Sequence, residues 1–190
     1  GIKAEKFAPV SAEQQKMLKQ KYGFDPSKPL VIHVGHCSKG RGLEDFAKIH
    51  TAQRMVVASG MFEDENVVRI LNEAKVKIHK GYLENVEEVY QMADAYLFPT
   101  RSAEFVISIP LSVMEALSCG VPVIGYKSFE NLNEITGSEG AITLIDNAEQ
   151  LDGVLPEVIK KKSDNSLLEK TGSWADVAQS VLRMVREENA

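Results

Sequence analysis

Six short runs rich in Val and Ile alternate with stretches of helical periodicity, and this alternation limits the fold more than any other feature of the chain. The runs occupy 30–35, 55–59, 76–79, 95–98, 121–125 and 141–145. Between them lie helix-like segments at 43–50, 63–74, 86–92 and 111–118. In 63–74, Val67, Val68, Ile70 and Leu71 make the inward side. Buried strands separated by helices predict a parallel sheet covered on both faces. Right-handed crossovers then give a doubly wound, Rossmann-like α/β sheet.

Both ends add helices. Segment 11–22 starts at Ser11 with Gln14 three residues on, a capping-box pattern. Segment 173–188 carries Trp174, Val177, Ala178, Val181, Leu182 and Val185, a clean apolar stripe. That stripe either lies on the domain's own sheet or docks on a second domain. The charged 160–165 reads as a solvated turn. The expected division is a lead-in (1–28), the Rossmann-like core (29–170) and a C-terminal helix (171–190).

The 190 residues amount to one ordinary domain. With 22 Lys and Arg against 27 Asp and Glu, the charge of −5 argues against a nucleic-acid binder but leaves room for a small phosphate site. Two distant cysteines, Cys37 and Cys119, make neither a disulfide framework nor a zinc motif, so a reducing, cytoplasmic location is expected. No apolar run approaches the ~18 residues of a membrane helix. The polar start at 1–6 is no signal peptide. A chain opening on Gly1 suggests a natural start further upstream.

Ligands of open α/β sheets sit beyond the carboxyl ends of the strands, which singles out four segments. The loop 35–42 holds three glycines with Lys39 and Arg41, suited to a diphosphate, although many strand–helix loops share that content. Segment 107–124 places Pro110 where a first helical turn would be and Gly120 where a helix would end. Amides at that helix start can hold an anion. Glu115 follows within the second turn, among Leu111, Met114, Ala116 and Leu117. It is either a solvated carboxylate or a part-buried acid that a hydroxyl-rich ligand such as ribose would satisfy. Segments 77–83, with His79, Lys80, Gly81 and Tyr82, and 128–134 read alone as polar loops.

Taken in order, these motifs resemble the C-terminal, nucleotide-sugar-binding half of the GT-B glycosyltransferases of family 4, the retaining group 1 type. The resemblance runs the length of the chain. Gly1-Ile-Lys-Ala-Glu-Lys-Phe-Ala-Pro9 is similar to the family's linker phrase, and Val34-Gly-His-Cys-Ser-Lys-Gly-Arg-Gly42 to VGRLSxxKG. Ile78–Leu83 and Val89–Thr100 follow FxGxv…lYxxADvxvxPS, and Met114–Ile124 follows LEAMAxGxPVI. Ser173-Trp174 matches a terminal Ser-Trp motif.

The resemblance implies that Arg41, with His36, Lys39 and Gly42, grips the donor diphosphate beside the amides of Ile109 and Leu111. It implies that Glu115 holds the ribose and that Gly81, Tyr82 and Leu83 read the nucleobase. No metal and no cofactor beyond the UDP-, GDP- or ADP-sugar is implied. The expected partners are that nucleotide sugar and an N-terminal acceptor domain not contained in the chain, with peripheral membrane association of the full protein open. Alone, the chain should bind nucleotide weakly and transfer nothing.

Two positions depart from the pattern. His36 stands where the family has Arg, and Ile107 where it has the first Glu of Glu-x7-Glu; Glu104 is the nearby carboxylate left as a catalytic candidate. Glu130-Asn131 replaces a Gly-Gly step, while Glu134 keeps its place. These changes motivate the alternative of a degenerate GT-B-like binding or regulatory module. An epimerase of the same fold is a third reading, which the 115–124 phrase and Ser173-Trp174 fit less well.

Overall fold

The computed structural model describes residues 2–3, 5–60, 63–105, 110–135, 140–161 and 174–188. Six strands form one parallel sheet in the order β3-β2-β1-β4-β5-β6. They are β1 (Leu30–Gly35), β2 (Gln53–Ala58), β3 (Lys77–Lys80), β4 (Ala95–Leu97), β5 (Val123–Tyr126) and β6 (Ile142–Ile145). This is the doubly wound order, and its direction reverses between β1 and β4.

Strand alternation divides the core. Leu30, Ile32, Met55, Val57, Tyr96 and Val123 face one way, against α3 (Val86–Met92) and α4 (Leu111–Ser118), with α1 (Ala12–Lys21) packed alongside. Val31, Val56, Ala58, Ala95, Leu97 and Ile124 face the other, against α2 (Glu65–Glu73) and α5 (Leu151–Val158). All these strand residues are buried on both sheet faces, as a parallel sheet between two helical layers requires.

Local chemistry explains most boundaries. At α1, Ser11 Oγ accepts the Gln14 amide at 3.2 Å while Gln14 Oε1 accepts the Ser11 amide at 3.3 Å, the expected capping box. Asp64 caps α2 by accepting the amides of Asn66 and Val67. Beyond α4, Gly120 takes φ +75° and the Val121 amide reaches back to the Ala116 carbonyl, closing the helix.

Three expectations need correction. Segment 43–50 is a tight 3-10 turn, Leu43–Lys48, whose Leu43 and Phe46 are buried although the segment never completes an α-helix. Pro110 is the cap residue of α4, one position before its first turn, with extended backbone (φ −68°, ψ 117°). The segment after β6, which was not foreseen as a helix, forms α5 despite Gly153 and Pro156. The final helix α6 (Trp174–Glu188) exposes Trp174, Val177, Val181, Leu182 and Met184.

An ionic clasp ties the lead-in to the sheet at the edge opposite the ligand-binding side. Lys19, only 4% exposed, reaches Asp94 Oδ2 at 2.6 Å and the Lys28 carbonyl at 3.0 Å. The same carboxylate accepts the Leu30 amide at 2.8 Å and Gln15 Nε2 at 3.2 Å. Helix α1, the start of β1 and the start of β4 therefore meet on Asp94.

Candidate functional site

The β1–β4 reversal opens a crevice at the carboxyl edge of the sheet, where 35–42 leaves β1 and 98–105 leaves β4. The two loops interlock. At Gly42 (φ +74°) a Cβ would stand 2.4 Å from the Pro99 carbonyl oxygen, so only glycine fits. The Phe105 ring occupies the space beside Gly40, and Arg41 Nη2 donates to the Phe105 carbonyl at 2.6 Å. Arg101 sits under Gly42, lies 3.9 Å over the Tyr126 ring and bridges to Asp45 Oδ2 at 2.7 Å. Tyr126 donates to that same oxygen at 2.6 Å. Burial pushes the Asp45 carboxyl above its ordinary range, and Tyr126 and Arg101 pull it back.

The first glycine of the loop serves the protein itself. A Cβ at Gly35 would meet His33 Nε2 at 2.7 Å, so its absence makes room for a fully buried imidazole. His33 Nδ1 lies 3.0 Å from the Leu97 carbonyl, which can only accept; Nδ1 therefore carries the proton. Burial lowers the His33 pKa to about 4, so the ring is neutral at physiological pH. His33 stacks on Tyr96, and Tyr96 packs on Tyr90, forming a buried aromatic floor.

Glu115 rises from α4 beside this floor. Tyr90 donates its hydroxyl to Glu115 Oε2 at 2.7 Å. Glu115 lines a cavity of about 230 Å³ walled by Ile2, Lys3, Lys6, Phe7, Leu111 and Trp174, so the lead-in and the start of the final helix meet at this acid. Burial raises the Glu115 pKa; the Tyr90 hydrogen bond and the Lys6 charge act against that rise. Helix α4 begins after Pro110, which makes no side-chain cap hydrogen bond, and amides at a helix start of this kind can hold an anion.

The remaining predicted residues that the structure describes lie in segments that follow the carboxyl ends of strands. His36 is exposed, its Nδ1 3.0 Å from Ser59 Oγ, and Lys39 is exposed. Leu111 is half-exposed on the first turn of α4. Gly81 (φ +89°) follows β3, Tyr82 projects at 89% exposure and Leu83 is partly buried. Glu104 is exposed on the Ala103–Phe105 turn that anchors Arg41. Ile107, Ile109, Ser173 and the Glu134 side chain lie outside the described residues.

Arg41 follows β1 and Glu115 sits on the helix after β4, the two strands between which the sheet order reverses. Burial is the largest cause raising the Tyr96 hydroxyl's pKa, with the Glu115 charge adding to it. Ser112 and the Arg41 charge oppose that rise. The described residues lining the Glu115 cavity include none of the glycine loop. Sequence reading missed Tyr90, Tyr96 and His33. The signal was present in the last: a histidine inside the otherwise apolar strand Leu-Val-Ile-His-Val-Gly.

The acid is held at a cost that titration can reveal. A carboxyl whose folded-state pKa is raised favours the fold below its unfolded value and loses that contribution as pH rises through the folded value. Glu115→Gln is therefore expected to raise the thermal midpoint near pH 7 by about 2 °C, an order typical of a sub-kilocalorie gain in a chain of this size. The gain should vanish near pH 4, as calorimetry at both pH values would show. An equal shift at both would contradict the assignment.

Comparison with known proteins bears on the family and the fold. The family described as "Glycosyl transferases group 1" matches residues 29–153. N-acetyl-alpha-D-glucosaminyl L-malate synthase of Bacillus anthracis is 25% identical over 181 residues, covering 90% of this chain and 40% of that protein. Alpha-galactosylglucosyldiacylglycerol synthase of Streptococcus pneumoniae is 26% identical over 135 residues, covering 65% and 35%. Anabaena HepE in complex with UDP-glucose shares the fold at a TM-score of 0.77 and 16% identity, over 98% of this chain and 56% of that one. The chain thus spans about two fifths of the first relative and about half of the solved structure.

Proposed function

The chain belongs to the group 1 glycosyl transferases, and from that premise we propose that it is the donor-binding half of a retaining enzyme. That enzyme moves a hexose from a nucleoside diphosphate sugar to an acceptor held by an N-terminal domain. The observation that carries this reading is that the Arg41 loop and the Glu115 helix follow β1 and β4, the two strands at which the sheet order reverses. A guanidinium and an acid carried beside the same sheet edge suit a ligand with phosphates at one end and a diol at the other. HepE, which shares the fold, is seen with UDP-glucose.

In this reading the diphosphate rests between Arg41 and the amino end of α4, with Lys39 and His36 at its rim. As the bond from sugar to phosphate breaks, negative charge grows on the leaving diphosphate. Preset cationic and amide donors stabilise that charge without reorganising. Glu115 accepts hydrogen bonds from the ribose, and the Gly81–Leu83 loop faces the base. No helix among the described residues is long and apolar enough to cross a membrane. A cytoplasmic enzyme acting at or near a membrane surface belongs to the same reading.

Calorimetric titration of the chain with UDP, GDP, ADP and their sugars tests it. One nucleotide is expected to bind weakly, with no sugar transferred, and Glu115→Ala should weaken that binding about ten- to a hundredfold. Silence toward every nucleotide would reject the reading. The second reading, a binding module without transfer chemistry, rests on His36 and Ile107. His36→Arg with Ile107→Glu in the full-length protein should raise transfer if degeneration explains them; unchanged transfer would reject that.

A further inference from the structure

We propose that Tyr90 is a positioning residue for Glu115: its hydroxyl holds carboxylate oxygen Oε2 so that Oε1 is presented to the ribose diol of the ligand. The inference rests on the donor-binding reading above and adds a residue to it.

Three observations carry it. Tyr90 is completely buried, and its hydroxyl donates to Glu115 Oε2 at 2.7 Å. A phenylalanine would fill almost the same volume without a polar atom to satisfy, so packing alone gives no reason for the hydroxyl. The ring cannot drift: Phe7 meets it edge-on at 5.8 Å and Tyr96 lies 5.9 Å away. A fixed donor on α3 therefore sets the rotation of a carboxylate carried by α4. An ionised carboxylate only accepts, so the direction of the bond is settled, and with Oε2 engaged Oε1 is the oxygen left for a diol.

The consequence concerns ribose and nothing else in the ligand. Glu115 is faced by Lys3 and Lys6 of the lead-in, Tyr90 of α3 and Tyr96 of β4, with Cys119 just beyond its own helix. Among the described residues, Tyr90 is the one that donates a hydrogen bond to it. Removing that donor lets the carboxyl take up a proton at higher pH. A protonated Glu115 offers the diol a neutral, weaker acceptor in place of a charged one.

The experiment compares Tyr90→Phe with the unaltered chain in titrations of UDP, GDP and ADP and of their 2′,3′-dideoxy analogues. The unaltered chain is expected to prefer the ribonucleotide about tenfold or more. Tyr90→Phe should bind the dideoxy form as before and lose most of that preference. Its ribonucleotide affinity should also fall away at higher pH on acidification. In a Glu115→Gln background, Tyr90→Phe should change neither affinity further. Glu115→Asp, which keeps the charge but withdraws it from Tyr90, is the second variant and should lose the preference too.

A tenfold preference that survives both Tyr90→Phe and Glu115→Asp would overturn the proposal while leaving the donor-binding reading intact. An equal loss for ribo and dideoxy forms would also overturn it, since that marks a structural role. Failure of the unaltered chain to bind any of the three nucleotides would overturn both.

Discussion

Gly42→Ala is expected to destabilise the domain by about 3 kcal/mol or more and to remove nucleoside diphosphate binding. Two penalties add. A left-handed backbone costs an alanine roughly 1–2 kcal/mol. Its Cβ would also stand 2.4 Å from the Pro99 carbonyl oxygen, a main-chain atom that cannot swing aside like a side-chain tip. Overpacking of that kind costs about 1–3 kcal/mol. Relief requires the 35–42 loop and the segment after β4 to part, which takes Arg41 away from its Phe105 anchor and Gly42 off Arg101. The thermal midpoint should fall by roughly 6–12 °C, with at least a tenfold loss of affinity for whichever nucleotide the unaltered chain binds. Calorimetry checks both, and an alanine variant with unchanged affinity would show that the interlock does not shape the anion loop.

The second large effect lies at the far edge of the sheet and separates stability from binding. Asp94→Ala removes one carboxylate that serves Lys19, the Leu30 amide and Gln15 together. Lys19 is left buried with its charge facing a carbonyl alone. Breaking a buried pair on one side costs about 3–5 kcal/mol. A fall of about 10 °C in thermal midpoint is therefore expected. Nucleotide affinity of the folded molecule should stay the same, because Asp94 lies at the amino ends of the strands and touches nothing in the crevice. Asp94→Asn keeps acceptor geometry for the amide and should cost less. If Asp94→Ala weakened binding as much as Gly42→Ala, the two edges of the sheet would be coupled and the site would not be local.

These effects differ in how far the bare sequence announced them. The strands and the crossover helices were legible because a two-sided sheet needs unbroken apolar runs, and 30–35 or 95–98 can be little else. Segment 43–50 carried a helical pattern but is barely longer than two α-turns, and the structure winds Leu43–Lys48 tighter to bury Leu43 and Phe46. Helix α5 went unseen because Gly153 and Pro156 argue against helix. Burial of Leu151, Leu155 and Val158 overrides that local preference.

Within the site, Glu115 stood out as a carboxylate among apolar neighbours. Its partner did not. A tyrosine in an amphipathic helix reads as core, and only the three-dimensional approach of α3 to α4 brings the Tyr90 hydroxyl onto the acid. The glycines of 35–42 read as allowing tight turns and a ligand's close approach; that Gly35 and Gly42 also make room for His33 and the Pro99 carbonyl is legible only in three dimensions. Pairings between residues far apart in the chain leave no periodic trace.

Trp174 is the chain's single tryptophan, and it stands on the wall of the cavity that Glu115 lines. Indole emission from this molecule thus has one origin. The chain carries its own optical gauge of whether that hollow is filled, with no dye attached and no background from elsewhere in its fold.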